Sequence, residues 1–258
     1  MSDKTESSAE SSGEESFISH LVELRDRLVK ASYGLVIATV ALLAWPGPAR
    51  IYDFLAQPMV DSLPAGAQMI ATGVISPFMV PMKVTMLLAF MLALPWVLYQ
   101  VWAFVAPGLY THEKRLVAPL VISSSALFLT GVAFCYFFVF GRVFKFINAF
   151  SPTSIHVSPD IENYLDFIMS MCLAFGVTFE VPVVVVVLVR MGFVSVEKLK
   201  AIRSYVIVGA FVIAAIVTPP DLVSQFSLAL PMCLLYELGL LLAPWFTKAT
   251  RAPTIGDD

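Results

Sequence analysis

One acidic residue lies inside an apolar stretch where an ionised group is costly. Residues 171–189 read MCLAFGVTFEVPVVVVVLV, and Glu180 is the only charged residue among them. Counted back from Arg190, Glu180 lies about 15 Å inside a helix that crosses the hydrocarbon. A charged side chain at such a depth costs ~2.5 kcal/mol or more, so it is expected to face other helices or water and to serve a function. The alternative is a polar contact that only holds helices together, and Pro182 is predicted to bend the helix at this level.

Two other glutamates lie beside the predicted ends of apolar helices. Glu23 belongs to SHLVELRDRL before the first apolar stretch, and Glu113 belongs to APGLYTHEKRL between the second and third. Carboxylates on one membrane face can accept arginine guanidinium groups through charge-assisted hydrogen bonds, which would suit an arginine-bearing peptide. The structural alternatives are an intrahelical pair between Glu23 and Arg27, and a favourable contact of Glu113 with a helix dipole.

A further set of polar residues lies at the turn between the last two apolar stretches. Asp221 follows Pro220 and is predicted to cap the next helix. Gln225, one turn later, is predicted to lie in the membrane and to hydrogen-bond another helix. Glu237 lies about 12 Å from Trp245 along the same helix and is predicted to face the bundle or water.

The composition places these residues in an integral membrane protein. Hydrophobic residues make up 59% of the chain and charged residues 14%, with a mean hydropathy of +0.84, which lies far outside the range of soluble domains. Apolar stretches recur that are long enough to cross about 30 Å of hydrocarbon, so helices are predicted to supply the spans. The fifth apolar stretch is too short for a full crossing and is predicted to form a tight hairpin with the sixth. Transmembrane helices are predicted over residues 28–45, 79–105, 116–149, 164–190, 204–218 and 222–243.

The basic residues predict an orientation. Most lysines and arginines fall in segments on one side, whereas Arg50, Arg142 and Lys145 fall on the other, so both termini are predicted to be cytoplasmic. Lys83 lies early in the second span and is predicted to snorkel outward. The loop over residues 46–78 is predicted to form a compact external cap with one short amphipathic helix, ARIYDFLAQPM.

Signatures of catalysis are missing from the sequence. It contains no HExxH pair, no helix that pairs serine with histidine and no GxxxxGK[ST] phosphate loop. Catalytic residues, metals, cofactors and nucleic-acid partners are therefore not predicted. The cysteines all lie in apolar segments without metal-ligand spacing and are predicted to be packing residues: Cys135, Cys172 and Cys233.

Several sequence blocks occur together in one known family. In order along residues 17–243, SHLVELRDRL, SPFMVPMKVT, YQVWAFVAPGLYTHEKR, AFGVTFEVPVV and TPPDLVSQ resemble TatC, the receptor of the twin-arginine protein translocase. The resemblance implies an all-α integral membrane protein with six transmembrane helices in a concave, glove-like bundle and both termini cytoplasmic. Outside the matched region, residues 1–16 are predicted to form a disordered acidic tail and residues 244–258 a short cytoplasmic tail.

The resemblance also implies roles for individual residues. Glu23 and Glu113 would contact the twin arginines of signal peptides on folded precursors, and Glu180 would project into the concave face, where it hydrates or thins the membrane or meets a partner helix. The neighbouring signal-binding surface would contain Arg25, Phe104, Leu109 and Tyr110. Assembly and contact with the single-span partners TatB and TatA would involve Thr218, Asp221 and Gln225, within a self-associating receptor complex in the bacterial inner membrane.

The resemblance favours a non-enzymatic receptor for export driven by the proton-motive force. Two other classes stay open on the residues alone. A proton-coupled carrier would use Glu180 to bind the ion and would show substrate counterflow in liposomes. A purely structural scaffold would tolerate substitution of all three glutamates, Glu23, Glu113 and Glu180, provided that the protein inserts.

Overall fold

The chain folds into helices that are long enough to cross a bilayer. The computed structural model describes residues 3–61, 68–105, 117–149, 158–218 and 221–247. Within them, 5 helical segments have the length and apolar composition of a membrane span, and a shorter apolar helix precedes the last of these. They are Ile18–Ala44, Ser76–Val105, Val117–Ile147, Ile161–Arg190 and Leu222–Trp245, with Arg203–Val217 as the shorter one. The order of the predicted spans is confirmed.

Ten α-helices and one π-helical turn make up the described part of the chain. In chain order they are α1 (Asp3–Ala44), α2 (Pro48–Val60), α3 (Ser76–Val105), α4 (Val117–Phe134), the π-helical turn Cys135–Val139, α5 (Phe140–Ala149), α6 (Ile161–Phe179), α7 (Val181–Arg190), α8 (Val196–Ala201), α9 (Arg203–Val217) and α10 (Leu222–Thr247). Helix α9 has 15 residues, a length of roughly 22 Å that falls short of the hydrocarbon thickness. The predicted short fifth span is therefore confirmed.

The first helix begins well before the predicted first span. Residues 3–16, for which the sequence favours disorder, form the N-terminal backbone of α1. Extension of an existing helix costs much less than nucleation of a new one, so the long apolar part of α1 supports helix in the polar residues that precede it. The boundary between the acidic tail and the transmembrane domain is consequently not a break in secondary structure.

The core forms where α4 and α6 approach each other and the π-helical turn packs beside them. Phe140, Ile168, Met171 and Phe175 are fully buried there. Cys135 and Cys172 are free and buried in this core, while Cys233 is free and half-buried in α10. The packing role predicted for the cysteines agrees with these positions.

Gly131 sets the distance between α4 and α6. A Cβ atom at Gly131 would lie 2.6 Å from the carbonyl oxygen of Phe175 and 2.8 Å from the ring of Phe179. We expect Gly131→Ala to lower the free energy of unfolding by about 1–3 kcal/mol, because the backbone of α6 must move to admit the methyl group. Thermal unfolding in detergent would measure this loss.

The matched control is Gly209→Ala in α9, where no described atom beyond the adjacent residues and the local helix backbone lies within 4 Å of the added Cβ. That change should leave stability unaltered or raise it by about 0.5–1 kcal/mol, because alanine favours helix over glycine. If both variants unfold at the same temperature, close packing at Gly131 is not a source of stability.

The external cap predicted over residues 46–78 contains the predicted short helix. Helix α2 buries Ile51 and Ala56 against its neighbours rather than resting only on the membrane surface. The hydroxyl of Tyr136 donates to the carbonyl of Phe54 at 2.7 Å and that of Tyr164 to the carbonyl of Leu55 at 3.3 Å. Two spans therefore hold α2 in place from its C-terminal half.

Polar contacts join the cap to the start of α6. Asp160 caps α6 by accepting from the backbone N–H of Asn163 at 3.1 Å, and it also accepts from the backbone N–H and hydroxyl of Thr72 at 3.1 and 2.8 Å. Nζ of Lys83, a residue predicted to snorkel outward, lies 3.2 Å from Oδ1 of Asp166 and 3.5 Å from Oε1 of Glu162. Local spacing could not predict these pairs, because the partners are 88 residues apart for Thr72 and Asp160 and 83 residues apart for Lys83 and Asp166.

The cap contact should weaken in acid. Hydrogen bonds from the backbone N–H of Asn163 and the hydroxyl of Thr72 lower the pKa of Asp160 below its ordinary value of 3.8. A carboxylate with a lowered folded-state pKa stabilises the fold above the unfolded pKa and loses that contribution as the pH falls through the folded pKa. Amide hydrogen exchange at Thr72 should therefore accelerate below about pH 4 relative to exchange in an unfolded reference.

Asp160→Asn provides the control for this acid effect. The variant cannot titrate at this position. Protection of the Thr72 amide from hydrogen exchange should therefore be lower at neutral pH and should lose its dependence on pH in the acid range. Equal acid sensitivity in the variant and the unchanged protein would contradict the role of Asp160.

Candidate functional site

Glu23 lies on α1 and already holds a guanidinium group. Arg27, one turn later, donates from Nε and Nη2 to Oε1 of Glu23 at 2.9 and 2.6 Å. The side chains of Glu23 and Arg27 are 35% and 25% exposed, so the pair is partly withdrawn from solvent. Nδ1 of His20 lies 3.9 Å from Oε2, the other carboxylate oxygen of Glu23. The predicted intrahelical pair is confirmed, and the geometry shows that this carboxylate can accept two N–H groups of an arginine.

An aromatic contact brings the end of α3 to the same place. The ring of Phe104 stacks on His20 with a centroid distance of 4.3 Å and an interplanar angle of 18°. Phe104 is thereby joined to Glu23 through His20, a residue that sequence reasoning did not select. Farther along α1, Trp96 donates from Nε1 to the carbonyl of Lys30 at 2.8 Å, which fixes α1 against α3.

The other residues predicted for the signal-binding surface have different positions. Arg25 is exposed, and its Nη2 donates to Oδ1 of Asp26 at 2.8 Å. Its observed partner is therefore Asp26 and not Glu23. Glu113, Leu109 and Tyr110 lie outside the described residues. Of the predicted surface, the structure therefore brings together Glu23 and Phe104.

Glu180 lies at a break in its span. Helix α6 ends at Phe179 and α7 begins at Val181, with Glu180 between them as the shared capping residue and Pro182 in the first turn of α7. The predicted disturbance of the helix by Pro182 is confirmed. Because α7 ends at Arg190, the 10 residues of α7 place the break about 15 Å from that end.

A serine from α4 lies beside the half-buried glutamate. The Ser124 side chain is close enough to stabilise the charged form of Glu180, and Trp102 of α3 donates from Nε1 to Oγ of Ser124 at 3.1 Å. Ser124 is completely buried. Sequence reasoning missed Ser124 and Trp102, because nothing in their own segments signals that they lie beside Glu180.

One oxygen of the Glu180 carboxylate is enclosed by the protein without a donor. Oε1 is buried and accepts no hydrogen bond from the part of the chain that the structure describes. A buried carboxylate oxygen without a donor is costly, and water or a polar group of another molecule would relieve that cost. Glu180 therefore lies beside α4 and can accept a further donor at Oε1.

The polar residues at the turn between α9 and α10, predicted to lie on the outer side, make short-range contacts. Asp221 caps α10 by accepting from the backbone N–H of Ser224 at 2.7 Å, as predicted. Gln225 donates from Nε2 to the carbonyl of Phe211 in α9 at 3.4 Å, which confirms its predicted contact with another helix. Thr218 is buried and its hydroxyl donates to the carbonyl of Ala214 at 2.9 Å. Of these bonds, the one from Gln225 joins α9 to α10, whereas those of Thr218 and Asp221 lie at the end of α9 and the start of α10.

Glu237 makes the polar contact at the opposite end of the same hairpin. Nη2 of Arg203 donates to Oε2 of Glu237 at 2.7 Å, and both side chains are nearly half exposed. The carboxylate predicted to face the bundle or water is thus held between α9 and α10. No group of His, Cys, Asp and Glu suited to a metal ion occurs within residues 3–61, 68–105, 117–149, 158–218 and 221–247.

Comparison with known proteins identifies the family. The family model for Sec-independent protein translocase protein (TatC) matches residues 19–231. The chain belongs to the TatC family. The TatC protein of Halothiobacillus neapolitanus is 49% identical over 94% of this chain and 66% of its own length, and that of Escherichia coli strain K12 is 46% identical over 91% and 90%.

A solved structure supports the same assignment. The crystal structure titled Twin Arginine Translocase Receptor- TatC superposes with a TM-score of 0.77 at 35% identity, over 88% of this chain and 99% of that one. The predicted six-helix, glove-like TatC fold is confirmed by this match. Together with the apolar helices, the relatives establish a multi-pass protein of the bacterial inner membrane. Members of the family are components of a protein translocase, and the family is not a known enzyme family.

Proposed function

We propose that the chain is the receptor of a twin-arginine translocase and that Glu23 and Glu113 receive the two guanidinium groups of a signal peptide. The observation that carries the proposal is the partly buried Glu23 carboxylate, which already accepts two N–H groups from Arg27 beside the stacked rings of His20 and Phe104. Charge-assisted bonds of this kind are directional and favour arginine over lysine. The related protein of known structure is a twin arginine translocase receptor, which supports the same role.

The signal peptide approaches from the cytoplasm in this proposal. The excess of lysine and arginine on the side of Glu23 supports cytoplasmic termini, with residues 17–243 as the transmembrane domain between the two tails. Phe104 contributes an apolar face next to Glu23, and Arg25, Leu109 and Tyr110 complete the adjoining surface.

Single-span partners bind at the outer hairpin in the same proposal. The support is the combination of Thr218, Asp221 and Gln225 with a lipid-facing side of α9, where the exposed residues include Val208 and Ile216. Oδ2 of Asp221 is buried and accepts no hydrogen bond from the described residues, so a donor on a partner helix would fit there. On the family resemblance, these partners are proposed to be TatB and TatA, in a complex in which the receptor also associates with itself.

Glu180 acts as a polar contact point within the membrane in this proposal. Its buried Oε1 favours a water molecule or a polar side chain of a partner helix over an apolar neighbour. Energy for transport would come from the proton-motive force.

Site-specific photocrosslinking during export of a twin-arginine precursor tests these assignments together. Probes at positions 23 and 113 should capture the signal peptide, and probes at 225 and 180 should capture single-span partners. A precursor whose arginine pair is replaced by lysines should lose the capture at 23 and 113. Equal capture of both precursors would refute the receptor proposal.

A further inference from the structure

We infer that Arg27 is a resident ligand of Glu23 and sets the affinity at which an arginine-bearing peptide can bind. The inference rests on the proposed function, because it concerns the same carboxylate. Arg27 supplies to Glu23 the chemical group that a twin-arginine peptide would supply. An incoming guanidinium must therefore displace Arg27 from Oε1 or share that oxygen with it.

The geometry favours displacement. Nε and Nη2 of Arg27 both donate to Oε1 of Glu23, at 2.9 and 2.6 Å, so the edge of the guanidinium covers that oxygen. Oε2 faces His20 at 3.9 Å, and the stacking of Phe104 on the same ring limits the approach from that side. With only 35% of the Glu23 side chain exposed, a second guanidinium has little room beside the first.

Arg27 and Arg25, both on α1, have different ion-pair partners. Arg25 is paired with its sequence neighbour Asp26, and its side chain is 72% exposed, so its release costs little and frees no part of Glu23. Arg27 is 25% exposed and holds the carboxylate itself. Of these two basic side chains, Arg27 is the one that competes directly for the proposed site.

Competition of this kind has a definite thermodynamic consequence. Every cationic ligand must release Arg27 first, so the cost of release weakens all of them by the same factor. Removal of the competitor should strengthen binding of arginine and lysine peptides in parallel and leave their ratio unchanged. A partly buried pair one helical turn apart should give an increase of roughly two- to tenfold in affinity.

The experiment measures the affinity of the full-length protein in lipid nanodiscs for three fluorescent synthetic signal peptides. They carry an Arg–Arg, a Lys–Lys or a Gln–Gln pair before the same apolar stretch. Arg27→Gln should bind the first two more tightly by a common factor. Lys30→Gln removes one positive charge one turn farther along α1, where the side chain does not contact Glu23, and should give a smaller gain.

Arg27→Lys separates competition from simple charge repulsion. Lysine keeps the charge but cannot present two N–H groups to one oxygen, so this variant should show an intermediate gain. It also keeps the proposal testable if the glutamine variant inserts poorly. The inference is overturned if Arg27→Lys binds the peptides with the affinity of the unchanged protein while Arg27→Gln and Lys30→Gln raise that affinity equally.

The same measurements distinguish failure of the inference from failure of the proposed function. Selective binding of the Arg–Arg peptide by the unchanged protein, with no gain in Arg27→Gln, would overturn only the inference. Equal binding of the Arg–Arg and Gln–Gln peptides by the unchanged protein would overturn the receptor proposal and the inference with it.

Discussion

Glu23→Gln should lower the affinity for a twin-arginine signal peptide by roughly ten- to a hundredfold. The neutral amide replaces a charge-assisted acceptor worth about 1.5–3 kcal/mol, and its NH₂ group presents donors to a ligand that also has only donors. The substitution additionally releases Arg27 from its pair, which leaves a positive charge close to a cationic ligand. Peptide binding to the purified protein and the initial rate of precursor export would both report the loss.

Glu197→Gln is the matched control for Glu23→Gln. Glu197 is an exposed glutamate in the first turn of α8, on the same predicted side of the membrane, and α8 is a separate helix from α1. Its neutralisation removes the same charge and should change peptide affinity by less than about twofold at physiological salt. If both variants bind the arginine peptide as tightly as the unchanged protein does, Glu23 is not a contact for the signal.

Glu180→Leu should reduce export by roughly tenfold or more, whereas Glu180→Gln should retain most of it. Glutamine keeps the length of the side chain, a polar group beside Ser124 and an acceptor for water or a partner helix. Leucine abolishes all of these while favouring insertion into lipid, so loss of export with normal abundance would identify a functional contact. Export of a folded twin-arginine precursor into membrane vesicles measures the difference.

The glutamine variant also tests the alternative role of Glu180 in proton transfer. An amide cannot carry the proton of a carboxyl group, so export that fails equally with glutamine and leucine would contradict the polar-contact proposal and favour a titrating carboxylate. Val177→Leu provides the control, because Val177 lies one turn earlier with 62% of its surface exposed. That variant should export at the unchanged rate.

Much of the architecture follows from one-dimensional features of the sequence. The apolar stretches fix the number and order of the spans, since each must be about 20 residues long to cross the hydrocarbon. Short-range spacing likewise predicted the Glu23–Arg27 pair, the Asp221 cap and the disturbance at Pro182, and the structure contains all three. These features depend on residues within one helical turn of each other, where backbone geometry alone determines the contact.

Contacts between helices were decided by the tertiary structure. Trp102, Ser124 and Glu180 come from three different helices, and Lys83 meets Glu162 and Asp166 from a helix far away in the chain. Helix periodicity does not specify which turn of one span faces which turn of another, because that depends on crossing angles and on close approaches such as the one at Gly131. The sequence by itself therefore determined the helices and their local pairs, whereas packing between helices decided which polar group accompanies Glu180 in the membrane.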